Sequence, residues 1–362
     1  MCRMNGDIRE LTRSFTRNDE YPASNVAKLI GARVFAAPFA PVLGGAGVAL
    51  VDAVEIVEAI AETCPTTALL SAMPIGLAGA VAAGVEVAPA LHRDAAFAQL
   101  EEIAAEYRAG KIYAACNSEK GAGGSLAATK TVAKKDASGA FSLTGEKILA
   151  SFGRNADVFF STAKLAPEDL PGCGIVEFFL VPTRGDGVKV LDDWNGFGMR
   201  GSESHSVRYE AARAKAPLGF PGFIESARPL EYWFCLFAAV PLGCVASMLR
   251  VLASPAPTSP ALRLRLSEVQ MRYEAARAYL LESASKYRAG GDAPYRARVL
   301  RTKTFVTQEA TRLCAELFAL GGGRHYVRGQ PLAGAIADVF AGTALRPPLA
   351  LALDLLVEGF GS

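Results

Sequence analysis

The chain has 362 residues, enough for two or three packed units with large cores. Its 38 Lys and Arg residues nearly balance 36 Asp and Glu residues, so the formal net charge is +2 and no global field favours a nucleic-acid partner. A local Lys/Arg cluster at residues 286–303 is interpreted as a solvated helix face or a phosphate contact.

The cysteines and histidines offer no arrangement for a metal. The seven cysteines are scattered, odd in number and without a CxxC pair, and the three histidines are isolated. This spacing predicts buried reduced thiols, no metal site and a cytoplasmic protein. The N-terminal residues also lack the apolar core of a secretory signal.

Two apolar stretches raise the question of a membrane span. Residues 64–85 are an uncharged run of 22 residues, which is long enough to cross a bilayer. The run contains prolines and glycines and is flanked by Glu62 and Glu86 instead of basic anchors. A second run, at 234–249, has only 16 residues. We therefore predict two buried helices and no membrane span.

The predicted elements divide the chain into three domains. Residues 1–111 are predicted to be helical, because 52–62 alternates apolar and acidic positions at helical spacing and a further helix is predicted to end near residue 108. Residues 112–220 contain short β-type runs such as IYAAC, VFFSTA and HSVRYE, which predict an all-β domain. Helical periodicity returns at 266–280 and 301–320, within a third domain at 221–362.

Three segments of the middle domain contain the candidate functional residues. Residues 117–125 read NSEKGAGGS, which fits neither the P-loop pattern nor the GxGxxG fingerprint. Residues 145–153 read GEKILASFG and place a hydroxyl group at Ser151. Residues 197–204 read FGMRGSES. Taken without context, these segments would be a β-turn, a surface strand and a β-hairpin.

In this order the three segments resemble signatures of the acyl-CoA dehydrogenase family, which read close to TEPxxGSD, GxKxWITNG and (L/M)GxRxS(D/E)(T/S). Residues 266–277 and 320–332 resemble two further family segments, so the resemblance extends from about residue 7 to 355. It implies an α+β multidomain fold with an N-terminal α-helical domain, a middle β-barrel domain and a C-terminal four-helix bundle.

The resemblance also implies a bound FAD and an acyl-CoA or related thioester substrate. The Ser151 hydroxyl would face flavin N5, where negative charge develops on reduction, and Leu149 replaces the family's Trp. The predicted flavin-binding residues are Cys116, Asn117, Ser118, Leu149, Ser151, Gly321 and Gly322. The predicted substrate-binding residues are Gly124, Ser125 and Arg200.

The family's reaction needs a carboxylate base, which removes the α-proton of the thioester while hydride leaves to flavin N5. The family motif YEGT reads FAGT here, so the base position is Ala341. Other members place the base ten residues before a glycine, and counting back from Gly243 gives Trp233. Glu231 is the nearest candidate base, although two residues rotate it by about 200° on a helix. The alternative is a solvent-facing or capping glutamate.

Three functions are compatible with this sequence. We rank FAD-dependent α,β-dehydrogenation of an acyl thioester first, then a flavin-dependent monooxygenase, then a non-catalytic subunit that pairs with an active paralogue. An electron-transfer flavoprotein or a flavin reductase is the predicted redox partner. Apolar runs at 234–249 and 349–356 predict a homodimer or tetramer, and a hetero-oligomer with a paralogue stays open.

Overall fold

The computed structural model of the protein describes residues 3–166, 168–169, 172 and 175–358. Its first helices are α1 (Arg3–Thr12), α2 (Ala23–Gly31), α3 (Leu50–Ala61), α4 (Pro65–Glu86) and α5 (Arg93–Arg108). The strands are β1 (Tyr113–Ala115), β2 (Val132–Lys135), β3 (Phe141–Ala150), β4 (Val158–Lys164), β5 (Val176–Pro182), β6 (Val188–Val190), β7 (His205–Arg213) and β8 (Ala216–Pro217). The last helices are α6 (Phe223–Ala227), α7 (Leu230–Ala253), α8 (Pro260–Ser285), α9 (Ala293–Leu320), α10 (Pro331–Val339), α11 (Ala341–Ala344) and α12 (Leu349–Glu358).

The strands form one curled sheet in the order β6-β7-β3-β2-β4-β5-β8, with β1 beside β4. Both β1 and β2 pair with β4 in parallel, and the other pairs are antiparallel. The register of β3 against β7 shifts between Lys147 and Ala150, where Leu149 has a left-handed φ of +59°. Such an irregularity redirects the side chains at the end of a strand.

Glycines in α4 allow this buried helix to lie close to α7. A Cβ atom at Gly76 would be 2.1 Å from Nε1 of Trp233, and one at Gly79 would be 2.1 Å from Cζ of Tyr232. Only glycine leaves room for these two aromatic side chains. The glycines of the long uncharged stretch therefore fix Trp233 against α4.

Among the residues that the structure describes, three helical segments are long and apolar enough to cross a membrane by length and composition alone: Pro65–Glu86, Leu230–Ala253 and Pro331–Glu358. In the fold, 83% and 78% of the most apolar windows of the first two are buried, against 22% for the third. The first two segments form the interior of the helical part of the protein. The third leaves apolar side chains at the surface.

The acidic side of α3 faces the C-terminal bundle of α7–α10. Arg277 on α8 donates to Glu55 and to Glu58 at 2.8 Å each, and the Tyr273 hydroxyl donates to Glu58 at 2.6 Å. Burial raises the pKa of Glu58, while Arg277 and Tyr273 oppose the shift. The periodic acidic residues of the sequence therefore join the N-terminal helices to the C-terminal bundle.

The described cysteines are buried and free; they are Cys64, Cys116, Cys235, Cys244 and Cys314. Cys2 and Cys173 lie outside the described residues. Within the described part of the chain, no three His, Cys, Asp or Glu side chains come together in a group able to hold a metal ion.

Candidate functional site

A cavity of about 310 Å³, here called the first cavity, lies where the curled sheet meets α4, α7 and the α10–α11 segment. Its wall is mostly apolar and aromatic. Phe160 of β4 stacks on Trp233 of α7 with ring centroids 5.3 Å apart, and Phe234 and Phe237 extend the aromatic wall along α7. Such a wall excludes water from whatever is bound there.

The loop after β1 forms the sheet side of the first cavity with Asn117 and Ser118. The side-chain oxygen of Asn117 accepts the backbone N–H of Thr162 at 2.9 Å, which fixes the amide orientation. The carbonyl of Ser118 accepts the backbone N–H of Ile148 at 2.8 Å. The loop is therefore held between β3 and β4, and its backbone is rigid where it faces the cavity.

Three serine hydroxyl groups form a connected chain in the wall. Ser151 Oγ lies 3.1 Å from Ser204 Oγ, and Ser204 Oγ lies 2.7 Å from Ser202 Oγ. All three serines are buried and line the first cavity. Of these we predicted only Ser151 as a site residue. Ser202 and Ser204 lie in the FGMRGSES segment, and that signature was the signal for both.

A buried ion pair supports this loop from behind. Lys147 Nζ lies 2.6 Å from Glu119 Oε1 and 3.1 Å from the hydroxyl of Thr162. Glu119 also accepts the backbone N–H and the hydroxyl of Thr131. Burial lowers the pKa of Lys147, with Glu119 opposing the shift. Burial acts to raise the pKa of Glu119, but the bonds from Lys147 and Thr131 leave it below its usual value.

Arg346, in the segment between α11 and α12, brings a positive charge into the cavity wall. Its Nη2 donates to the carbonyl of Asn117 at 3.3 Å. Its Nη1 is buried and has no hydrogen-bond partner among the described residues. Burial lowers the pKa of Arg346 to about 10, with Glu119 opposing the shift, so the guanidinium is cationic at neutral pH. Arg346 lies in none of the sequence segments predicted to form the site.

Lys303 on α9 fixes the segment that carries Arg346. Its Nζ donates to the carbonyls of Leu345 and Pro347 at 2.8 Å each, on either side of Arg346. Lys303 is itself buried, and burial lowers its pKa to about 7. The position of the guanidinium is therefore set by a buried contact from a long helix.

No carboxylate lines the first cavity in the described part of the chain, where Arg346 is the only ionisable wall residue. Ala341 and Trp233 occupy the two positions at which the family resemblance places a base, and both line this cavity. A methyl group and an indole cannot accept an α-proton.

Glu231 lies in a neighbouring cavity of about 590 Å³, here called the second cavity, which shares Leu230, Phe234 and Arg346 with the first. Its Oε1 is 3.4 Å from Arg296, and its Oε2 is buried without a hydrogen-bond partner among the described residues. Burial raises the pKa of Glu231 to about 7, with Arg296 opposing the shift.

The three predicted substrate-binding residues do not lie together in the fold. Gly124 and Ser125 line the second cavity. Arg200 lines neither cavity; its side chain is 3.2 Å from Asp19, and its carbonyl accepts the indole N–H of Trp194, a wall residue of the first cavity, at 2.8 Å.

The predicted flavin-binding residues are also only partly brought together. Asn117, Ser118, Leu149 and Ser151 line the first cavity, while Cys116, Gly321 and Gly322 line neither cavity. The Cys116 thiol is fully buried, and burial raises its pKa to about 11. Gly321 caps the end of α9, where a Cβ atom would be 2.6 Å from Leu332.

Two family models match this chain. The model described as acyl-CoA dehydrogenase, middle domain, matches residues 114–212, and the model described as acyl-CoA dehydrogenase, C-terminal domain, matches residues 248–345. Together they cover more than half of the chain. The chain belongs to the acyl-CoA dehydrogenase family. The predicted family membership is therefore confirmed, and the low identities to relatives make it a divergent member.

Two curated relatives of this chain are named for different activities. Probable acyl-CoA dehydrogenase YngJ of Bacillus subtilis (strain 168) is 23% identical over 353 residues, which cover 89% of this chain and 88% of that protein. L-evernosamine nitrososynthase of a Micromonospora species is 26% identical over 245 residues, which cover 59% of this chain and 55% of that protein.

Solved structures confirm the predicted acyl-CoA dehydrogenase-like fold. Butyryl-CoA dehydrogenase from Megasphaera elsdenii matches with a TM-score of 0.83 and 18% identity, covering 99% of this chain and 98% of that one. KijD3 in complex with FMN and a dTDP-linked amino keto sugar matches with a TM-score of 0.82 and 20% identity, covering 98% of this chain and 90% of that one.

Proposed function

We propose that this chain is a flavin-dependent monooxygenase built on the acyl-CoA dehydrogenase fold. The observation that supports this proposal is the first cavity, whose described wall contains no carboxylate and has Ala341 and Trp233 at the two base positions. Thioester dehydrogenation needs a proton acceptor beside the α-carbon, whereas oxygen transfer does not. A nitrososynthase among the relatives is in keeping with oxygenation chemistry on this scaffold.

The sheet side of the first cavity fits a flavin. The backbone around Asn117 and Ser118 and the hydroxyls of Ser118 and Ser151 offer donors and acceptors along one wall. Nη1 of Arg346, which has no hydrogen-bond partner in the part of the chain that the structure describes, is a further buried donor that an electron-rich ligand edge would satisfy. Bound reduced flavin would supply two electrons to dioxygen, so that one oxygen atom enters the substrate and the other leaves as water.

The linings of the two cavities suggest which part of a substrate each would bind. The stacked Phe160 and Trp233 favour an apolar or aromatic reacting group in the first cavity. The second cavity, with Ser125, Arg228 and Arg296, suits the polar remainder of an acyl-CoA or related substrate. Monooxygenation also needs a flavin reductase as a partner, whereas dehydrogenation would use an electron-transfer flavoprotein.

The test begins by titrating the purified protein with FAD, our predicted flavin, and with FMN, the flavin bound in the KijD3 structure. The flavin-loaded protein is then mixed with butyryl-CoA or octanoyl-CoA without oxygen. Persistent flavin absorbance supports monooxygenation, and bleaching contradicts it. In the presence of NADH, a flavin reductase and ¹⁸O₂, a panel of apolar substrates is then supplied, and we expect one ¹⁸O atom in the product. The panel includes indole, which is bound together with FMN in the structurally similar TdsC from Paenibacillus sp. A11-2.

Acyl-thioester dehydrogenation is the second candidate function because of Glu231. A buried glutamate whose pKa is raised to about 7 is suited to proton abstraction at neutral pH, and its cavity adjoins the first. If Glu231 is the base, Glu231→Gln abolishes anaerobic bleaching by acyl-CoA, whereas Glu225→Gln, an exposed residue of the same cavity, leaves it intact. If the two variants are bleached equally by acyl-CoA, Glu231 is eliminated as the base.

The third function and the assembly state are tested by simple measurements. A chain that binds neither FAD nor FMN in titration would support the non-catalytic partner subunit. We also propose a homodimer or tetramer, because α12 exposes the apolar side chains of Leu353, Leu355 and Val357, the last by 75%. The buried free cysteines of the described residues support our proposal of a cytoplasmic location. Light scattering of the purified chain would show whether it is a dimer, a tetramer or a monomer awaiting a paralogue.

A further inference from the structure

The wall behind the flavin-facing loop contains an uncompensated charge. Glu119 lies at 2.6 Å from Lys147, and this carboxylate and ammonium neutralise each other. Arg346 is a second cation that interacts with the same Glu119, yet no carboxylate among the described residues forms an ion pair with it. Lys147 and Glu119, which are buried, and the half-buried Arg346 together therefore have a net charge of +1.

A buried positive charge without a counter-anion is unfavourable in a water-poor environment. Among the described residues, the guanidinium forms one hydrogen bond, from Nη2 to the carbonyl of Asn117, and its Nη1 forms none. Its segment cannot easily move to solvent, because Lys303 binds the carbonyls on both sides of Arg346. The site is thus held in a form that an anion would complete.

We propose that Arg346 is the counter-cation for the anionic pyrimidine edge of the reduced flavin. The inference rests on the flavin binding of the proposed function. Two-electron reduction adds a proton at N5 and leaves a negative charge shared by N1 and the C2 carbonyl oxygen. The guanidinium contacts the loop of Asn117 and Ser118, which we assign to this edge of the ring. An anionic group of the substrate already has Arg228 and Arg296 in the second cavity.

The consequence is a difference between two affinities. A fixed cation at this edge stabilises the reduced anion more than the neutral oxidised ring. Reduced flavin should therefore bind more tightly than oxidised flavin. Each tenfold ratio of the two dissociation constants raises the midpoint potential of the bound flavin by about 30 mV, as for any two-electron couple.

The test compares Arg346→Gln with Arg346→Lys. Glutamine keeps a donor for the Asn117 carbonyl and removes the charge, while lysine keeps the charge. Dissociation constants of oxidised and reduced flavin are measured without oxygen for each variant. We expect Arg346→Gln to lose about tenfold in reduced-flavin affinity with oxidised-flavin affinity nearly unchanged, and Arg346→Lys to keep most of the ratio. Arg265→Met, which removes an exposed arginine of α8, is the matched control and should behave like the wild-type protein.

Two outcomes would overturn the inference. One is an unchanged ratio of the two dissociation constants in Arg346→Gln, and the other is a fall of that ratio in Arg346→Lys as large as the fall in Arg346→Gln. A wild-type chain that binds no flavin contradicts the proposed function instead. Should Arg346→Gln fail to fold, the absorption spectrum of reduced flavin on the wild-type protein decides. We expect the anionic form down to about pH 6, and the neutral form there contradicts the assignment.

Discussion

The carboxylate of Asp338 joins the N-terminal segment to the cavity wall through Met199. Its Oδ1 accepts the backbone N–H of Met199 at 2.7 Å, and its Oδ2 binds Arg17 at 2.7 Å. Arg17, which is 321 positions away, provides a guanidinium partner for that aspartate.

Asp338→Asn should lower the free energy of unfolding by about 3 kcal/mol, because it leaves Arg17 without its charge partner in a mostly buried site. Urea denaturation measures the loss. Asp186→Asn, at an exposed position, is the control and should change stability by less than about 0.5 kcal/mol. Equal stabilities of the two variants would show that the ion pair contributes nothing.

Glu231→Gln should change how stability depends on pH. The pKa of Glu231 is raised from 4.5 to about 7 in the folded protein, so the folded state retains a proton that the unfolded chain has lost. The free energy of unfolding should therefore fall as pH rises from about 4.5 to about 7, by about 3 kcal/mol at most.

Urea denaturation at several pH values measures this effect. In Glu231→Gln this pH-dependent fall in the free energy of unfolding should be smaller by up to about 3 kcal/mol, whereas Glu225→Gln should follow the wild-type curve. Parallel curves for the wild-type protein and Glu231→Gln would mean that the carboxylate is not desolvated in solution.

Lys147→Met should destabilise the protein by about 3–5 kcal/mol, because the carboxylate of Glu119 would remain buried without its ammonium partner. Glu119→Gln in addition should recover part of the loss. A double-mutant cycle in urea should give a coupling energy above about 1 kcal/mol. Lys134→Met, at an exposed position of β2, is the control. A coupling energy near zero would contradict the pairing.

Ser151→Ala should weaken flavin binding about tenfold, equivalent to about 1.4 kcal/mol, through the loss of one hydrogen bond and the break in the serine chain. Fluorescence titration with FAD and FMN measures the change. Ser267→Ala removes an exposed hydroxyl of α8 and should leave the affinity unchanged. An unaltered dissociation constant in Ser151→Ala would remove this hydroxyl from the flavin site.

The helix–sheet–helix order could be predicted from the sequence, because the periodicity of apolar residues changes from helical to β-type and back along the chain. The motif order also placed Asn117, Ser118 and Ser151, which the fold brings to one cavity wall. Glu231 and Trp233 lie in different cavities. Two residues on a helix correspond to a rotation of about 200°, so the two side chains point to opposite sides of α7.

Arg346 could not be predicted as a site residue from the sequence, because no motif contains it and it lies 229 positions from Asn117. Its function as a wall residue depends on burial and on the contact from Lys303, which only the folded chain defines. The same is true of Arg17, whose partner Asp338 is near the other end of the chain. Long-range charge pairing leaves no local signal in composition or periodicity.

Arg346 lines both cavities, so its charge links binding in one cavity to binding in the other. An anion bound in one cavity changes the electrostatic potential in the other, so the two occupancies are coupled. Coupling of this kind is reciprocal: the factor by which one ligand changes the affinity of the second equals the factor by which the second changes the first. The order in which the two cavities fill therefore cannot alter the total binding energy, only the rate at which it is reached.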